Sequence, residues 1–344
     1  MPESLILNIT LFISSGFVIL LAGTNLVKLC DELADRTGMG EAITGAVFLG
    51  GLTTLPGITA SISAAWSGSA SLALSNAYGG IAAQTLFIAA ADIVYQKANL
   101  EHAAASLENI LSGVGLLVLL SMLFFAHSTP AITIWHMHPV SLLLPVVYVC
   151  FIYLASQSRE NPMWLARITN ETSTDEPEEK NESLSHKKLV KRWISLVLTG
   201  SLIVVFGWLL TKTGINISKA TGISQSVMGA FLIAVITSFP ELITSIFAVR
   251  QGALTLAVGG ILGGNAFDTM FVAVADYFYL KGSIFEYVTA QDKGIAAMAA
   301  VMTGLILLGL LYRQRKGPAG IGFESIAVIF VSFIGSFTLF LSGG

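Results

Sequence analysis

The chain has 344 residues, 54% of them hydrophobic and only 11% charged, with a mean hydropathy of +0.77 and a net charge of -3. A soluble domain carries about 25% charged residues, so this composition excludes one and requires a polytopic membrane protein. No basic patch suggests a nucleic-acid partner, and the two cysteines, Cys30 and Cys150, form neither a metal-binding spacing nor a disulfide framework.

A membrane-spanning helix needs about 20 mostly apolar residues. Ten such spans are predicted: 5–29, 40–66, 70–95, 107–126, 137–156, 192–213, 222–249, 253–279, 293–312 and 321–341. The first has no basic flank before it and is long enough to cross, so it reads as a helix rather than a cleaved leader. Asp31, Glu32 and Asp35 follow the first span and Glu41 sits near the start of the second, and all four read as solvated helix ends. His127 and the run Trp135-His136-Met137-His138 fall between spans four and five, where an interfacial aromatic belt is expected. From Gln157 to Lys191 the chain turns polar, rich in Glu, Ser, Thr, Asn and Lys, and reads as a flexible linker. The expected division is a first five-helix repeat (1–156), a polar linker (157–191) and a second five-helix repeat (192–344).

Basic residues orient the chain. With the N-terminus outside, 14 of the 18 lysines and arginines fall on the inner side, including the seven from Arg159 to Arg192. The linker is therefore expected in the cytoplasm and the protein in the plasma (inner) membrane. The sequons at Asn170 and Asn181 are then chance matches.

Sliding the chain by 184 residues lays Thr37–Tyr95 on Thr221–Tyr279 without a gap. Proline, glycine and aspartate fall in register: Pro56 on Pro240, Gly79 on Gly263, Gly80 on Gly264 and Asp92 on Asp276. Apolar composition alone does not align those residue types. Five helices per repeat is an odd number, so the second half enters from the opposite side. The predicted fold class is all-α and integral to the membrane: ten transmembrane helices in two inverted five-helix repeats, with broken helices at the midplane.

The chemistry concentrates between Thr237 and Asp268. Glu241 and Asp268 are carboxylates inside apolar runs, where each costs about 2.5 to 3.5 kcal/mol on insertion scales. Pro240 removes a backbone donor and frees a carbonyl one turn earlier. Hydroxyls, free carbonyls, an amide and two carboxylates at a helix break make the chemistry of a cation site. No nucleophile–base pair, phosphate loop or Cys/His cluster appears, so enzyme chemistry is not expected, and neither is a cofactor.

These stretches resemble the sodium/calcium exchangers of the cation/calcium antiporter superfamily. That family carries Gly-Thr-Ser-x-Pro-Glu/Asp on one helix of each repeat and Gly-Ser-Asn-x-x-Asn/Asp on the next. Here the second repeat reads Thr237-Ser238-Phe239-Pro240-Glu241, then Gly263-Gly264-Asn265-Ala266-Phe267-Asp268. The resemblance implies a secondary active antiporter whose partners are inorganic cations, calcium and sodium first among them, within the lipid bilayer. It implies ion-site roles for Thr237, Ser238, Glu241, Asn265 and Asp268.

The first repeat departs from the pattern. Gly51-Leu52-Thr53-Thr54-Leu55-Pro56-Gly57 keeps the hydroxyls of Thr53 and Thr54 but has glycine at the acidic position, and Ile81 stands at the amide position. Calcium takes about 6–8 oxygen ligands and favours more than one carboxylate. Calcium transport therefore depends on whether Asp268 faces inward beside Glu241, and the cost of an ionised group in lipid favours that orientation. Two alternatives stand beside the exchanger reading: exchange of monovalent cations and protons through Glu241, and a degenerate, non-transporting membrane scaffold. Gly57→Glu with Ile81→Asn is expected to set a carboxylate and an amide opposite Glu241.

Overall fold

A computed structural model describes residues 4–37, 51–130, 132–160, 164–169, 172 and 186–342. The start of the predicted second span, Glu41, both sequon asparagines and much of the linker lie outside the described residues. Eleven principal helices carry the fold: α1 Leu5–Thr37, α2 Leu55–Trp66, α3 Ala70–Val94, α4 Leu107–Ser128, α5 Pro139–Glu160, α6 His186–Thr221, α7 Gln225–Thr237, α8 Phe239–Gln251, α9 Leu254–Phe278, α10 Ala290–Tyr312 and α11 Phe323–Leu341. Eight are long and apolar enough to cross a membrane, and α7 with α8 forms a ninth span bent by 45°. The predicted second span is represented among the described residues by 51–66, including α2. Large apolar side chains such as Ile6, Phe17, Phe247 and Phe333 point outward, as lipid-facing surfaces require, while backbone polar groups are satisfied within each helix.

The bends follow from the two prolines. Thr54 (φ -86°, ψ 5°) precedes α2 and Ser238 (φ -94°, ψ 0°) separates α7 from α8. Pro56 and Pro240 stand two residues after them, at the start of the following helix, where a missing N–H is tolerated but the preceding helix cannot continue unbroken. The second break also follows a π-helical turn, Met228–Ile233.

Helices α1 and α6 establish the inversion directly. Their polar contacts run in opposite senses: Asn216 donates to Asn8 Oδ1 at 3.0 Å, Asn25 donates to Thr199 Oγ1 at 3.3 Å, and Arg192 pairs with Glu32 at 3.1 Å. The two first helices of the repeats are thus antiparallel. Both exceed the predicted spans, at 33 and 36 residues, or about 50 Å against a hydrocarbon core of about 30 Å. α6 begins at His186, inside the stretch expected to be linker. Another part of that stretch is tied down: Arg313 Nη1 donates to the Arg167 carbonyl at 2.8 Å, and His102 Nε2 meets Thr169 Oγ1 at 3.0 Å. Local composition predicted a flexible linker. Packing and hydrogen bonds to the α10 end order those two parts.

The most buried spanning helices are α3 and α9, one from each repeat. They lie at the centre, and α3 also meets α7 so tightly that a Cβ on Gly79 would collide with the Ala230 backbone. Only glycine permits that approach.

Asp92 and Asp276, near the ends of these two helices, form matched clamps. Asp92 accepts from the Leu100 N–H at 2.8 Å and the Gly322 N–H at 2.9 Å. Asp276 accepts from the Ile284 N–H at 2.8 Å and the His138 N–H at 2.7 Å, and from the hydroxyls of Ser283 and Ser141. The backbone partners correspond: Leu100 is displaced by 184 positions from Ile284, and His138 by 184 positions from Gly322. Each aspartate holds one loop of its own repeat and one helix start of the opposite repeat. These hydrogen bonds give both aspartates a capping role. Asp276→Ala leaves two buried N–H groups and two hydroxyls unpaired at about 1–3 kcal/mol each. Thermal unfolding in detergent should show a larger loss of melting temperature for it than for Asp276→Asn, which keeps one acceptor.

Between α3 and α4 lies the one-turn helix Leu100–Ala103, and Glu101 in it is fully buried with neither carboxylate oxygen hydrogen-bonded. Burial, with Asp92 and Glu324 nearby, holds its acid well above the usual carboxylate range. A carboxyl whose native pKa lies above its unfolded value favours folding while protonated and loses that contribution as pH rises through the native value. Glu101→Gln is therefore expected to melt higher than the parent at pH 8–9, with the gap closing towards pH 5. A constant gap across that range would contradict the assignment.

Candidate functional site

The helix breaks open onto a small central cavity. Thr54, at the first break, and Gly57 of α2 line one side; Thr237, Ser238 and Glu241 line the other from the second break. Asn76, Gly80 and Gln84, one turn apart on a single face of α3, and Asp268 and Phe271 of α9 complete it. The volume a water-sized sphere can occupy is about 10 Å³, roughly that of one such particle. No lining residue is Lys, Arg or His.

Hydrogen bonding inside the cavity occupies its amide donors. Gln84 Nε2 donates to Asp268 Oδ2 at 2.6 Å and approaches Ser238 Oγ at 3.4 Å. Asn76 Nδ2 donates to the Gly57 carbonyl at 3.0 Å and Ser61 Oγ at 2.8 Å. The amide of Gln84 is oriented by that carboxylate, since the reverse orientation would set oxygen against oxygen. Four buried oxygens remain without hydrogen-bond partners: Asn76 Oδ1, Gln84 Oε1, Glu241 Oε2 and Asp268 Oδ1. A buried unsatisfied polar group costs about 1–3 kcal/mol, and here all four are acceptors around one space. Such a space is complementary to a desolvated cation or a proton. The mix of carboxylate, amide and hydroxyl oxygens suits hard cations. Among the described residues no cluster of three His, Cys, Asp or Glu suited to a softer metal is present.

The predicted site residues distribute as follows. Thr54, Thr237, Ser238, Glu241 and Asp268 come together on the cavity, and Asp268 faces inward. Thr53 lies next to the first break without lining the cavity. Asn265 lies outside it as well, one turn before Asp268 on α9. Its Nδ2 donates to Thr85 Oγ1 at 3.0 Å and reaches the Ile81 carbonyl at 3.4 Å, joining α3 to α9. Ile81 likewise does not line the cavity, so an asparagine there would not face Glu241. Two residues escaped the sequence reading, Asn76 and Gln84. The signal for Gln84 was present, because the 184-residue offset that pairs Gly57 with Glu241 also pairs Gln84 with Asp268.

The model of the sodium/calcium exchanger protein family matches residues 7–157 and 191–341, most of the chain in two blocks. The chain belongs to the sodium/calcium exchanger family. CaxA of Alkalimonas amylolytica, an antiporter by name, is 24% identical over 326 residues, covering 89% of this chain and 92% of its own length. Sodium/potassium/calcium exchanger 2 of Gallus gallus is 26% identical over 155 residues, which cover 43% of this chain and 24% of that protein. The crystal structure of the H+/Ca2+ exchanger CAX superposes with a TM-score of 0.69 at 14% identity, over 98% of this chain and 86% of its own. The chain thus shares the fold of membrane exchangers built from two repeats.

The Gln84–Asp268 contact joins the repeats at the centre. Gln84→Leu should leave a second Asp268 oxygen unpaired and lower stability by about 1–3 kcal/mol. Gln84→Asn, which is one methylene shorter, should recover part of that loss only if its amide still reaches Asp268. Thermal melts of the purified variants measure both.

Proposed function

We propose that this exchanger is a secondary active cation antiporter carrying calcium against sodium, with Glu241 and Asp268 as the charged ligands of one central site. The observation that carries this reading is the set of four unpartnered oxygens around a cavity between two helix breaks contributed by inverted halves. Two carboxylates neutralise a divalent ion, which removes the objection that a single carboxylate would leave net charge in a low-dielectric interior. Thr54, Thr237 and Ser238 add hydroxyl and break-carbonyl oxygens, and Asn76 and Gln84 add amide oxygens. Thr53 supports the first break, and Asn265 supports the site by fixing α9 against α3. Alternating access then follows from rocking one repeat-related group of helices against the other around the fixed site.

In this reading the N-terminus lies outside, the 157–191 region is cytoplasmic, and the two membrane repeats divide the chain at that region in the plasma (inner) membrane. The protein acts as a transporter and not as an enzyme, and inorganic cations and lipid are its partners. A second reading is favoured by the absence of a basic residue around the two carboxylates: a proton can occupy the same oxygens and serve as the counter-ion.

Flux into reconstituted vesicles decides between them. Calcium uptake driven by an outward sodium gradient at fixed pH supports sodium exchange, uptake driven only by a pH gradient supports proton exchange, and no flux under either gradient supports the scaffold alternative. Glu241→Gln and Asp268→Asn each remove a buried charged ligand, worth about 2–5 kcal/mol, so calcium affinity should fall about 30-fold or more. Unchanged affinity in both would remove the site.

A further inference from the structure

The cavity is unequal in its two halves, and one side chain accounts for the difference. Gly57 is displaced by 184 positions from Glu241, so it stands where the first repeat would supply a matching carboxylate. A Cβ built on Gly57 would lie 2.6 Å from Phe271 Cε2 and 3.2 Å from Cζ. The space next to Gly57 is therefore filled by a phenyl ring. The ring is 3% exposed and is backed by Phe267, whose centroid is 6.3 Å away, edge to face. Phe267 in turn packs on Tyr148 at 5.7 Å.

The repeat supplies an internal control. Phe271 is paired by the same offset with Phe87, so both halves carry the ring at this position. The offset pairs Gly57, the neighbour of Phe271, with Glu241, and Phe87 does not line the cavity. Opposite Phe271 stands glycine, and Phe271 does line it. Of the two repeat-related rings, the one beside a glycine enters the cavity and the other does not.

We propose that Phe271 limits this site to a single cation, by occupying with its ring the space from which the first repeat would otherwise supply the counterpart of Glu241. The proposal rests on the cavity's being the ion site. The remaining room is that of one particle, and both carboxylates lie on the second-repeat side of it. Calcium and sodium then compete for the same oxygens one ion at a time, and Phe271 acts as a determinant of stoichiometry without being a charged ligand.

The test uses the purified full-length chain in detergent, with calcium binding measured by calorimetry and displaced by sodium. In the parent, one calcium is expected per chain and sodium should displace it with a Hill coefficient of about one. In Gly57→Glu/Phe271→Ala the sodium coefficient should rise towards two, and in Gly57→Glu alone it should not. A parent coefficient of two or more, or an equal rise in the single and double variants, would overturn the proposal. If the parent binds neither calcium nor sodium, the ion-site reading itself falls, which is a separate and recognisable outcome. The space-filling step has its own readout in melting temperature. Gly57→Ala should lower it in the parent, and the loss should shrink at least by half when Phe271 is also changed to Leu. Additive losses would mean that the ring does not occupy the space next to residue 57.

Discussion

A carboxylate buried among the helices of a membrane protein must be compensated from within the protein, because bulk water and lipid headgroups do not surround it. The usual compensation is a lysine or arginine, and none lines this cavity. Instead the amide of Gln84 donates to one oxygen of Asp268, and the rest of the acceptor surface is left open. The surrounding architecture serves that arrangement. Two helices must break at equivalent depths to bring Thr54, Ser238 and Glu241 to the same place, and α3 and α9 must cross closely enough for a side chain of one to reach a carboxylate of the other. Substituting a basic residue for Gln84 would satisfy the acid and, by the same act, fill the space that the open acceptors surround.

Much of this was legible in the sequence because its signals are periodic. Hydropathy located the crossings, odd helix parity implied the inversion, and the prolines marked both breaks. The 184-residue offset also anticipated features beyond the breaks, including the paired clamps at Asp92 and Asp276. Less legible was whatever depends on which way a side chain turns. Asn265 belongs to the motif that carried the family resemblance, yet its amide ties α3 to α9 beside the cavity. Asn76 sits at a position whose counterpart in the second repeat is Gly260, so the repeat gave no hint of it. The lengths of α1 and α6 were also underestimated. Polar residues such as Glu32 and Arg192 end a hydropathy window, but they do not end a helix when they pair with each other beyond the lipid.

The two halves have diverged where charge is concerned and have been kept alike where backbone is concerned. Prolines, paired glycines such as Gly79 and Gly263, and clamp aspartates occur in both. The acidic residues of the cavity survive in one. Backbone geometry must be repeated for the halves to pack as an inverted pair, since a missing break on one side would displace the helices of both. A side chain that lines the cavity carries no such constraint, because an oxygen from either half reaches the same space.

The exchanged clamps bear on how the chain is made. Asp276 draws two of its partners, His138 and Ser141, from the half synthesised first, while Asp92 must wait for Gly322, which begins the final helix. A nascent chain that has inserted its first five helices therefore holds Asp92 with only part of its hydrogen bonding complete. The first half is an unfinished object until nearly the whole protein has left the ribosome. Fragments cut at the polar region between the repeats would be expected to need one another's presence in the same membrane. Gene duplication would thus have produced a pair of mutually dependent halves rather than two self-sufficient units joined by a tether.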